Sequence, residues 1–427
     1  MSPSIRGEEV PIMYQKSVLP NGIRLVTEAM PHSHVVSLGL WLEVGSRDEA
    51  AAEGGLTHVL EHMAFKGTPR RTAYDIAREI DQLGGAGNAF TTQENTCFHI
   101  KVLGEQVPRA LDLLIDLTLN PLYQPHELER ERAVILEEIA AQEDNPEDLV
   151  QVHFVREFWR GCSLGRPILG EARDIAAFSL EDLLSYRRAT YRPERLVVAA
   201  AGHLSHQHLL DLLEPALGAF DNGTPARERE PAVPHPGAYL YSRDLEQAHL
   251  CLGTKSLPAG DDRRFAASLL QVILGGNMSS RLFQVIREEL GLAYSIFSYL
   301  SFYKDTGMLE IFAGVKPQNL PPLLDAVKGE LRRLKSTPVQ DAELAEAKEY
   351  VKSSILLNAE DGEHRMLRLA KNEINFGHYI SLEEIIAGVE QVTQEAVINL
   401  AQEFFQADNW GMAVLGPVVG DLALGNF

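Results

Sequence analysis

Two histidines and a glutamate within residues 54–68, GGLTHVLEHMAFKGT, have types and spacing that could hold a metal ion. His58 and His62 are four residues apart, so on a helix both imidazoles leave the same face and can meet one ion. Glu61 lies between them in the order H-x-x-E-H, the inverse of the commoner zinc motif. The rest of this helix is apolar and predicts a buried element. The same short pattern also arises by chance among hydrogen-bonded core residues.

A third ligand is needed, because a catalytic zinc usually takes three protein ligands and leaves the fourth position to water. The later segment 127–141, ELERERAVILEEIAA, has a helical period. Glu131 and Glu138 are seven residues apart and share one face of that helix, whereas Glu137 points elsewhere. A glutamate on an exposed helix is usually solvated, so spacing alone does not select Glu138 as a ligand.

Several motifs together resemble the pitrilysin/insulinase family, with the closest likeness to the mitochondrial processing peptidase and its bacterial relatives. The resemblance runs from about Leu19 to the C-terminus. The motifs are Gly45-Ser46-Arg47, the H-x-x-E-H helix, Phe65-Lys66-Gly67-Thr68, Gly84-Gly85 with Asn88-Ala89, and Glu137-Glu138.

The resemblance implies a zinc peptidase with one Zn²⁺ per chain. His58, His62 and Glu138 would be the metal ligands, and Glu61 would be the general base. Glu131 would be an acid of the same helix that supports the ligands from behind.

Composition narrows the class of partner. With 427 residues the chain is too long for one hydrophobic core and is expected to form several domains. A net charge of -21 argues against nucleic acid, because phosphate binding needs clustered Lys and Arg, and favours a basic or neutral ligand. The alternative explanation is that the negative charge only keeps the protein soluble and is unrelated to any ligand.

Cysteine usage and the N-terminus indicate a cytoplasmic protein. Cys97, Cys162 and Cys251 are scattered thiols without the spacing of a disulfide framework. The first residues lack the apolar region of a signal peptide and carry acids that a transit peptide avoids. No apolar run is long enough to span a bilayer, so no membrane partner is expected.

The first half of the chain predicts strands over 23–26 and 35–44 and helices over 73–83, 108–119, 127–144, 146–159 and 180–191. Residues 88–103 alternate polar and apolar and predict a strand pair, and 195–202 predicts a buried strand. An exposed strand of this kind can add a peptide as an extra strand. The resemblance places the substrate there, on Asn88, Ala89, Phe90 and Thr91. An edge strand whose polar residues only prevent pairing with other chains would show the same sequence pattern.

The second half repeats the order of the first. Residues 223–237 have a linker composition, so we expect an N-terminal half at 1–222 and a C-terminal half at 238–427. The second half predicts strands over 249–254, 293–304 and 307–315, and helices over 261–274, 282–289, 320–334 and 341–358. Aligning the helices at Leu128 and Leu344 puts Ser354 opposite Glu138, so the second half has no metal site.

The expected fold class is therefore α+β, with two similar halves, each a mostly antiparallel sheet with helices packed on it. The resemblance implies that the halves form a clam-like chamber around the peptide.

Three further residues enter through the resemblance. Arg287 and Tyr294, in REELGLAY, match residues that reach across the chamber, the tyrosine donating to the scissile carbonyl oxygen. Without the resemblance, Tyr294 would be read as a core aromatic. Asp148 matches an acidic position that contacts a basic substrate residue, but Val152 replaces a second acid, which weakens an arginine preference. Asp148 also suits an ordinary helix surface.

We therefore expect a zinc metalloendopeptidase that cleaves unfolded or extended peptides. The alternative is a non-catalytic or partner-dependent subunit that binds peptides without cutting them. The resemblance also implies a dimer, either of two identical chains or with a related second subunit.

Overall fold

The computed structural model describes residues 13–218, 220 and 227–417 of the chain. Within these ranges each half of the chain forms one β-sheet with helices packed on it, which is the predicted α+β fold with two similar halves. None of the helices in the described ranges combines the length and the apolar character needed to cross a bilayer.

The elements follow one another in similar order in the two halves. The strands are β1 (Met13–Val18), β2 (Arg24–Ala29), β3 (Val35–Leu42), β4 (Ala86–Thr91), β5 (Thr96–Leu103), β6 (Leu196–Gly202), β7 (Gly237–Ser242), β8 (Ala248–Ser256), β9 (Ala293–Phe302), β10 (Gly307–Val315) and β11 (Trp410–Gly416). The helices of the first half are α1 (Leu56–Ala64), α2 (Ala73–Gln82), α3 (Val107–Leu119), α4 (Pro125–Asp144), α5 (Pro146–Phe158), α6 (Ala172–Ala177), α7 (Leu180–Thr190) and α8 (His206–Leu217). Those of the second half are α9 (Arg264–Gln271), α10 (Leu320–Ser336), α11 (Asp341–Ala359), α12 (Gly362–Phe376), α13 (Leu382–Glu390) and α14 (Gln394–Phe404).

Five strands of the six-stranded N-terminal sheet have the same topology as the five-stranded C-terminal sheet. Their strand orders are β1-β2-β6-β3-β5-β4 and β7-β11-β8-β10-β9. Each sheet has one parallel pair, β2 with β6 and β7 with β11, and its other pairs are antiparallel. Apart from β1, the orders match position by position, so β4 and β9 are equivalent edge strands. The helices match as well, since α3, α4 and α5 follow β5 as α10, α11 and α12 follow β10.

Both faces of each sheet are covered. Every residue of β6 and of β10 is buried, as expected for central strands that have helices on both sides. One face of each sheet packs against helices of its own half in a large apolar core. The other face packs against a helix that belongs to the opposite half.

The halves exchange one helix each. Phe154 and Phe158 of α5 lie in a buried cluster with Met308, Phe312 and other residues of the C-terminal sheet, which we call the α5 cluster. In the reciprocal α12 cluster, residues of α12 pack on the N-terminal sheet; its members are Val26, Trp41, Cys97, Val197, Ala199, Ala201, Met366, Leu369, Ala370 and Ile374. Each half thus supplies part of the other's core.

Glycines in the sheets make room for the exchanged helices. A Cβ atom on Gly39 would lie 2.6 Å from the sulfur of Met366 in α12. A Cβ on Gly253 would lie 2.7 Å from the Phe154 ring, and one on Gly411 would lie 2.6 Å from the Phe158 ring. These glycines therefore permit the close helix approach that a side chain would block.

A buried arginine ties the halves together at the ends of their edge hairpins. Arg47 is 2% exposed and donates to Glu94 at 2.7 Å in the turn between β4 and β5. It also donates to both oxygens of Asp305, at 2.6 and 2.7 Å, in the turn between β9 and β10. The backbone N–H of Lys304 donates to Glu94 at 3.0 Å. The three side chains Arg47, Glu94 and Asp305 form what we call the hairpin clasp.

The predicted linker lies partly outside the described residues. Its described part, up to residue 236, forms neither helix nor strand, and Gly237 begins β7. Arg227 pairs with Glu53 at 2.7 Å and Arg229 pairs with Asp48 at 2.8 Å. This part of the chain is therefore fastened to the N-terminal half.

Two predicted helices of the second half differ in detail. The helix predicted over 261–274 starts at Arg264, because the carbonyl and carboxylate of Asp261 form a turn by accepting backbone N–H groups of Arg264 and Arg263. A π-helical turn, Val272–Gly276, continues α9. The helix predicted over 282–289 is a π-helical segment, Phe283–Glu289, a geometry that is rare and often found at functional sites.

Candidate zinc site and peptide-binding edge

Helix α1 carries the two histidines and is anchored at its first residues. Gly55 precedes it with φ of +90°, a left-handed conformation that favours glycine, and a Cβ there would lie 2.6 Å from Ile175. The buried Glu49 carboxylate accepts the backbone N–H groups of Gly55 at 3.0 Å and Thr57 at 2.8 Å. Burial raises the pKa of Glu49 to about 8, against the effect of these hydrogen bonds.

The apolar residues of α1 fix the direction of its polar face. Leu56, Val59, Leu60 and Met63 are buried in the N-terminal core. His58 and His62 leave the opposite side, and their ring centroids are 4.5 Å apart. The helix packs against α4, which brings a carboxylate to the same place.

Glu138 of α4 meets the two imidazoles. One carboxylate oxygen lies 3.8 Å from Nε2 of His58 and 3.6 Å from Nε2 of His62. Two ligands bound tetrahedrally to one zinc at about 2.05 Å are about 3.4 Å apart. The three donor atoms, all within 4.8 Å of one another, are therefore spaced as ligands of a single ion. Among the described residues, this is the one group of histidine, cysteine and acidic side chains that meets that condition.

A second carboxylate of α4 orients one imidazole from behind. Glu131, which is 4% exposed, lies 3.0 Å from Nδ1 of His62 and 2.6 Å from the ammonium of Lys66. An acceptor at Nδ1 keeps the proton there and leaves Nε2 free as a ligand. Lys66 compensates the buried charge of Glu131, which accounts for a lysine one turn beyond the second histidine.

The electrostatics of His58 also suit a metal ligand. Burial, together with the neighbouring His62, lowers the pKa of His58 to about 4. The ring is therefore neutral at neutral pH, the form that binds metal. Its Nδ1 atom is buried without a hydrogen-bond partner.

Glu61 lies beside these groups on the same helix. The hydroxyl of Thr91 donates a hydrogen bond to one of its carboxylate oxygens. Burial raises the pKa of Glu61, and the Thr91 hydrogen bond partly opposes that shift. A half-buried carboxylate with a raised pKa next to a candidate metal site suits a proton acceptor.

Strand β4 brings Asn88, Ala89, Phe90 and Thr91 to the edge of the N-terminal sheet. It pairs with β5 on one side only, so its other side is a free edge. The backbone N–H of Ala89 donates to the side chain of Asn88 at 2.9 Å and so is not directed at β5. A peptide could pair with this edge through backbone hydrogen bonds.

Arg287 and Tyr294 are placed together in the second half. Arg287 lies in the π-helical segment and stacks over the rings of Phe283 at 4.7 Å and Tyr294 at 5.0 Å. Tyr294 is 81% exposed, so it is not a core aromatic. In the described part of the chain, neither residue has a hydrogen bond, ion pair or ring contact with the zinc ligands or Glu61.

Asp148 lies in the first turn of α5 and is exposed. It accepts a hydrogen bond from the Asn145 side chain at 2.6 Å, and Asn145 in turn caps α5. This contact gives Asp148 a local structural role, and its contact with substrate stays a prediction.

Sequence reasoning missed three supporting residues: Glu49, Lys66 as the partner of Glu131, and the Thr91 hydroxyl as the partner of Glu61. For Thr91 a signal was available. Strand alternation puts Ala89 and Thr91 on the face that packs toward α1, and Asn88 and Phe90 on the other. The pattern identifies the face but not the residue met there.

Comparisons with known proteins identify the family of the chain. Residues 24–172 match the family model described as Insulinase (Peptidase family M16), and residues 177–351 match Peptidase M16 inactive domain. An uncharacterized zinc protease of Mycobacterium tuberculosis is 39% identical over 412 residues, covering 94% of this chain and 93% of that protein. The uncharacterized zinc protease YmxG of Bacillus subtilis is 38% identical over 405 residues, covering 95% and 98%.

Solved structures share the fold. A protease from Helicobacter pylori superposes with a TM-score of 0.89 at 20% identity, covering 95% of this chain and 99% of that one. A Pseudomonas fluorescens protein described as a peptidase M16 inactive domain also gives 0.89, at 19% identity, covering 96% and 100%. The chain belongs to the insulinase family of peptidases, family M16.

Proposed function

We propose that this protein is a zinc metalloendopeptidase that cleaves extended peptides. One observation carries the proposal: two imidazoles and a carboxylate from separate helices converge at ligand spacing, with Glu61 beside them and a free strand edge alongside. The names of the relatives support the same class.

The donor set fits zinc. Two imidazole nitrogens and one carboxylate oxygen are among the ligand sets that catalytic zinc sites use, and His62 has the supporting carboxylate expected behind such a ligand. His58, His62 and Glu138 would hold one ion per chain. Zinc, when bound there, would polarise the scissile carbonyl and lower the pKa of a water molecule.

The side chains have separate tasks. Glu61 accepts a proton from the attacking water and returns it to the leaving amine. Glu131 keeps the Nδ1 proton of His62 in place. The free edge of β4 holds the peptide extended through its backbone, so the site accepts many sequences but not folded chains. Asp148 would favour a basic residue in the substrate.

We assign Arg287 and Tyr294 to the active site of a second copy of the chain. The two halves of one chain are joined by the α5 cluster, the α12 cluster and the hairpin clasp. Closure of these halves on a peptide, which the expected clam-like chamber requires, would break these buried contacts, so our proposal differs from that expectation and puts the chamber between two copies of the chain. Tyr294 is 81% exposed and free to donate to a neighbouring molecule, where its hydroxyl would stabilise the charge that develops on the carbonyl oxygen. The active form is therefore a homodimer.

Digestion of a denatured peptide library tests the peptidase proposal. The zinc-loaded chain should cut the peptides, a chelator should abolish cutting, and mass spectrometry would give the cut sites. Glu61→Gln should keep zinc while turnover falls by orders of magnitude, because only the proton acceptor is lost. Undiminished turnover in Glu61→Gln would remove Glu61 from the mechanism. Peptide binding without cleavage by the zinc-loaded protein would instead establish the non-catalytic alternative.

Mixing two inactive variants tests the second-copy assignment. Chains with Glu61→Gln and chains with Tyr294→Phe would each have low activity alone. Random pairing into symmetric dimers gives one intact site in each mixed dimer, or roughly a quarter of wild-type sites. Unfolding and refolding the mixture should therefore restore activity. No gain on mixing would mean that Tyr294 serves its own chain or none.

A further inference from the structure

Thr91 lies where the peptide-binding edge and the proposed base meet. Its side chain is on the α1 face of β4, and its hydroxyl is the only described side-chain hydrogen-bond donor to Glu61. The bond engages one carboxylate oxygen and leaves the other without a described partner. Glu61 can then be held in one orientation while its second oxygen stays available for a proton.

The backbone of Thr91 belongs to the free edge. Because Ala89 directs its N–H away from β5, Thr91, two residues along, does the same by the alternation of an antiparallel ladder. A peptide paired with this edge would therefore contact the backbone of the residue whose hydroxyl holds Glu61.

The turn that follows Thr91 is fastened at several points. Backbone N–H groups of Ser46 and Arg47 donate to the carbonyls of Thr92 at 3.2 Å and Gln93 at 2.8 Å. Gly45 permits this approach, since a Cβ there would lie 2.4 Å from the Thr92 carbonyl oxygen. The hairpin clasp then holds Glu94 against the C-terminal half. The position of Thr91 along β4 is thus set from outside the strand.

We propose that Thr91 is a positioning residue for the reaction: its hydroxyl orients the Glu61 carboxylate, and the fastened turn holds that hydroxyl in place. The inference rests on the proposed peptidase function and deepens it. It differs from a role in substrate binding, which would use the Thr91 backbone and would not need the hydroxyl. Peptide pairing and base orientation are then linked through one residue.

Thr91→Val tests the inference, since valine keeps the branched shape and the strand propensity but has no donor. We expect kcat on an extended peptide to fall about 10- to 100-fold with KM changed less than about twofold, because misorientation of a catalytic group affects the chemical step. Thr91→Ser, which restores the hydroxyl, should recover most of kcat. Thr118→Val is the matched control, because it removes a hydroxyl that bonds only within α3.

Two further readouts separate positioning from strand stability. Peptide binding to the Glu61→Gln chain should be the same with and without Thr91→Val, and zinc content should not change. In the Glu61→Gln background, Thr91→Val should cause no further loss of residual turnover, because the group it orients is already disabled.

Several results would overturn the inference: a Thr91→Val kcat within about twofold of wild type, a rise in KM with kcat unchanged, or an equal loss of turnover in both backgrounds. Failure of the peptidase function itself looks different. In that case wild type and Glu61→Gln would be indistinguishable, whatever residue occupies position 91.

Discussion

The N-terminal sheet and the C-terminal sheet carry the same succession of elements, but their helices carry different chemistry. In the first half α1 and α4 present His58, His62 and Glu138 to one point. In the second half α11 has Ser354 where α4 has Glu138, and α9 has neither histidine nor carboxylate. The shared topology depends on core packing, which both halves keep. The candidate metal site depends on a few side chains, which differ between the halves.

The second half has no candidate metal site, but it covers one face of the N-terminal sheet. Its α12 packs on the N-terminal sheet, where Arg365 and Arg368 bond to the buried Glu28 of β2. It also supplies Asp305 to the hairpin clasp. The half without a candidate metal site therefore still packs against and fastens the half that has one.

The largest effect should come from substitutions at two equivalent positions that differ between the halves, Glu138 and Ser354. Glu138→Gln removes a charged ligand, so we expect bound zinc to fall from one per chain to near none, with peptide cleavage lost. Ser354→Glu places a carboxylate at the equivalent position of α11, but α9 carries no histidine to complete a site, so bound zinc should stay at one per chain. Metal analysis after dialysis measures both. A second zinc in Ser354→Glu would contradict the proposed asymmetry between the two halves.

The second largest effect should be the loss of stability on breaking the hairpin clasp. Arg47→Met removes the 2.7 Å partner of the Glu94 carboxylate, which is 8% exposed, and leaves it the longer contact with Arg229 at 3.3 Å. Breaking a buried pair typically costs about 3–5 kcal/mol, so the free energy of unfolding should fall by up to that amount. Denaturant unfolding measures it.

Arg70→Met is the control for the clasp, because Arg70 is 52% exposed and its buried partner Asp116 keeps hydrogen bonds from Arg71 and Thr68, so its removal should cost no more than about 1 kcal/mol. Equal costs in the two variants would mean that the clasp does not hold the halves together.

The smallest effect concerns the pH dependence of stability, and it compares the sheet faces that α12 and α5 cover. Next to α12, His99 pairs with Glu363 at 3.5 Å. On the face of the C-terminal sheet covered by α5, the buried Glu310 accepts a hydrogen bond from the Cys251 thiol and lies near Tyr299, and burial raises its pKa from 4.5 to about 7. Between those pH values the folded protein holds a proton that the unfolded chain has released. The contribution of Glu310 to stability should therefore fall as pH rises through this window, by up to about 3 kcal/mol.

Glu310→Gln should make the fall of stability with pH shallower by that share, because the amide does not titrate, while the buried Glu49 keeps its own contribution. Unfolding measured from pH 4 to pH 8 would show it, with Glu346→Gln on the exposed face of α11 as the control. An unchanged slope in Glu310→Gln would mean that other groups cause the dependence.

Local pattern was enough to predict the elements that carry the site. The apolar period of α1 and α4 fixed their helical form, and the alternation after Asn88 predicted the strand pair β4 and β5. The pattern did not predict that Glu138 meets the histidines. Glu131 and Glu138 are seven residues apart and share one helix face, so the spacing does not choose between them as the ligand. The resemblance supplied that choice, and the packing of α4 on α1 provides its geometry.

The exchange of α5 and α12 was beyond reach of the sequence. An amphipathic helix shows that one face is buried but not which sheet buries it. The glycines that accept the two helices, Gly39 and Gly253, look like any strand glycine until Met366 and Phe154 are placed above them. The dimer, the domain limits and the cytoplasmic location stay predictions.

The position of α12 has a consequence for synthesis of the protein. The strands of the N-terminal sheet are complete by Gly202, but the helix that covers their second face spans Gly362–Phe376. A growing chain must therefore leave the ribosome almost in full before that apolar surface is shielded, and contacts so distant in sequence form slowly. We expect nascent chains truncated before residue 362 to aggregate or to be retained by chaperones, which makes timing during translation a requirement of this architecture.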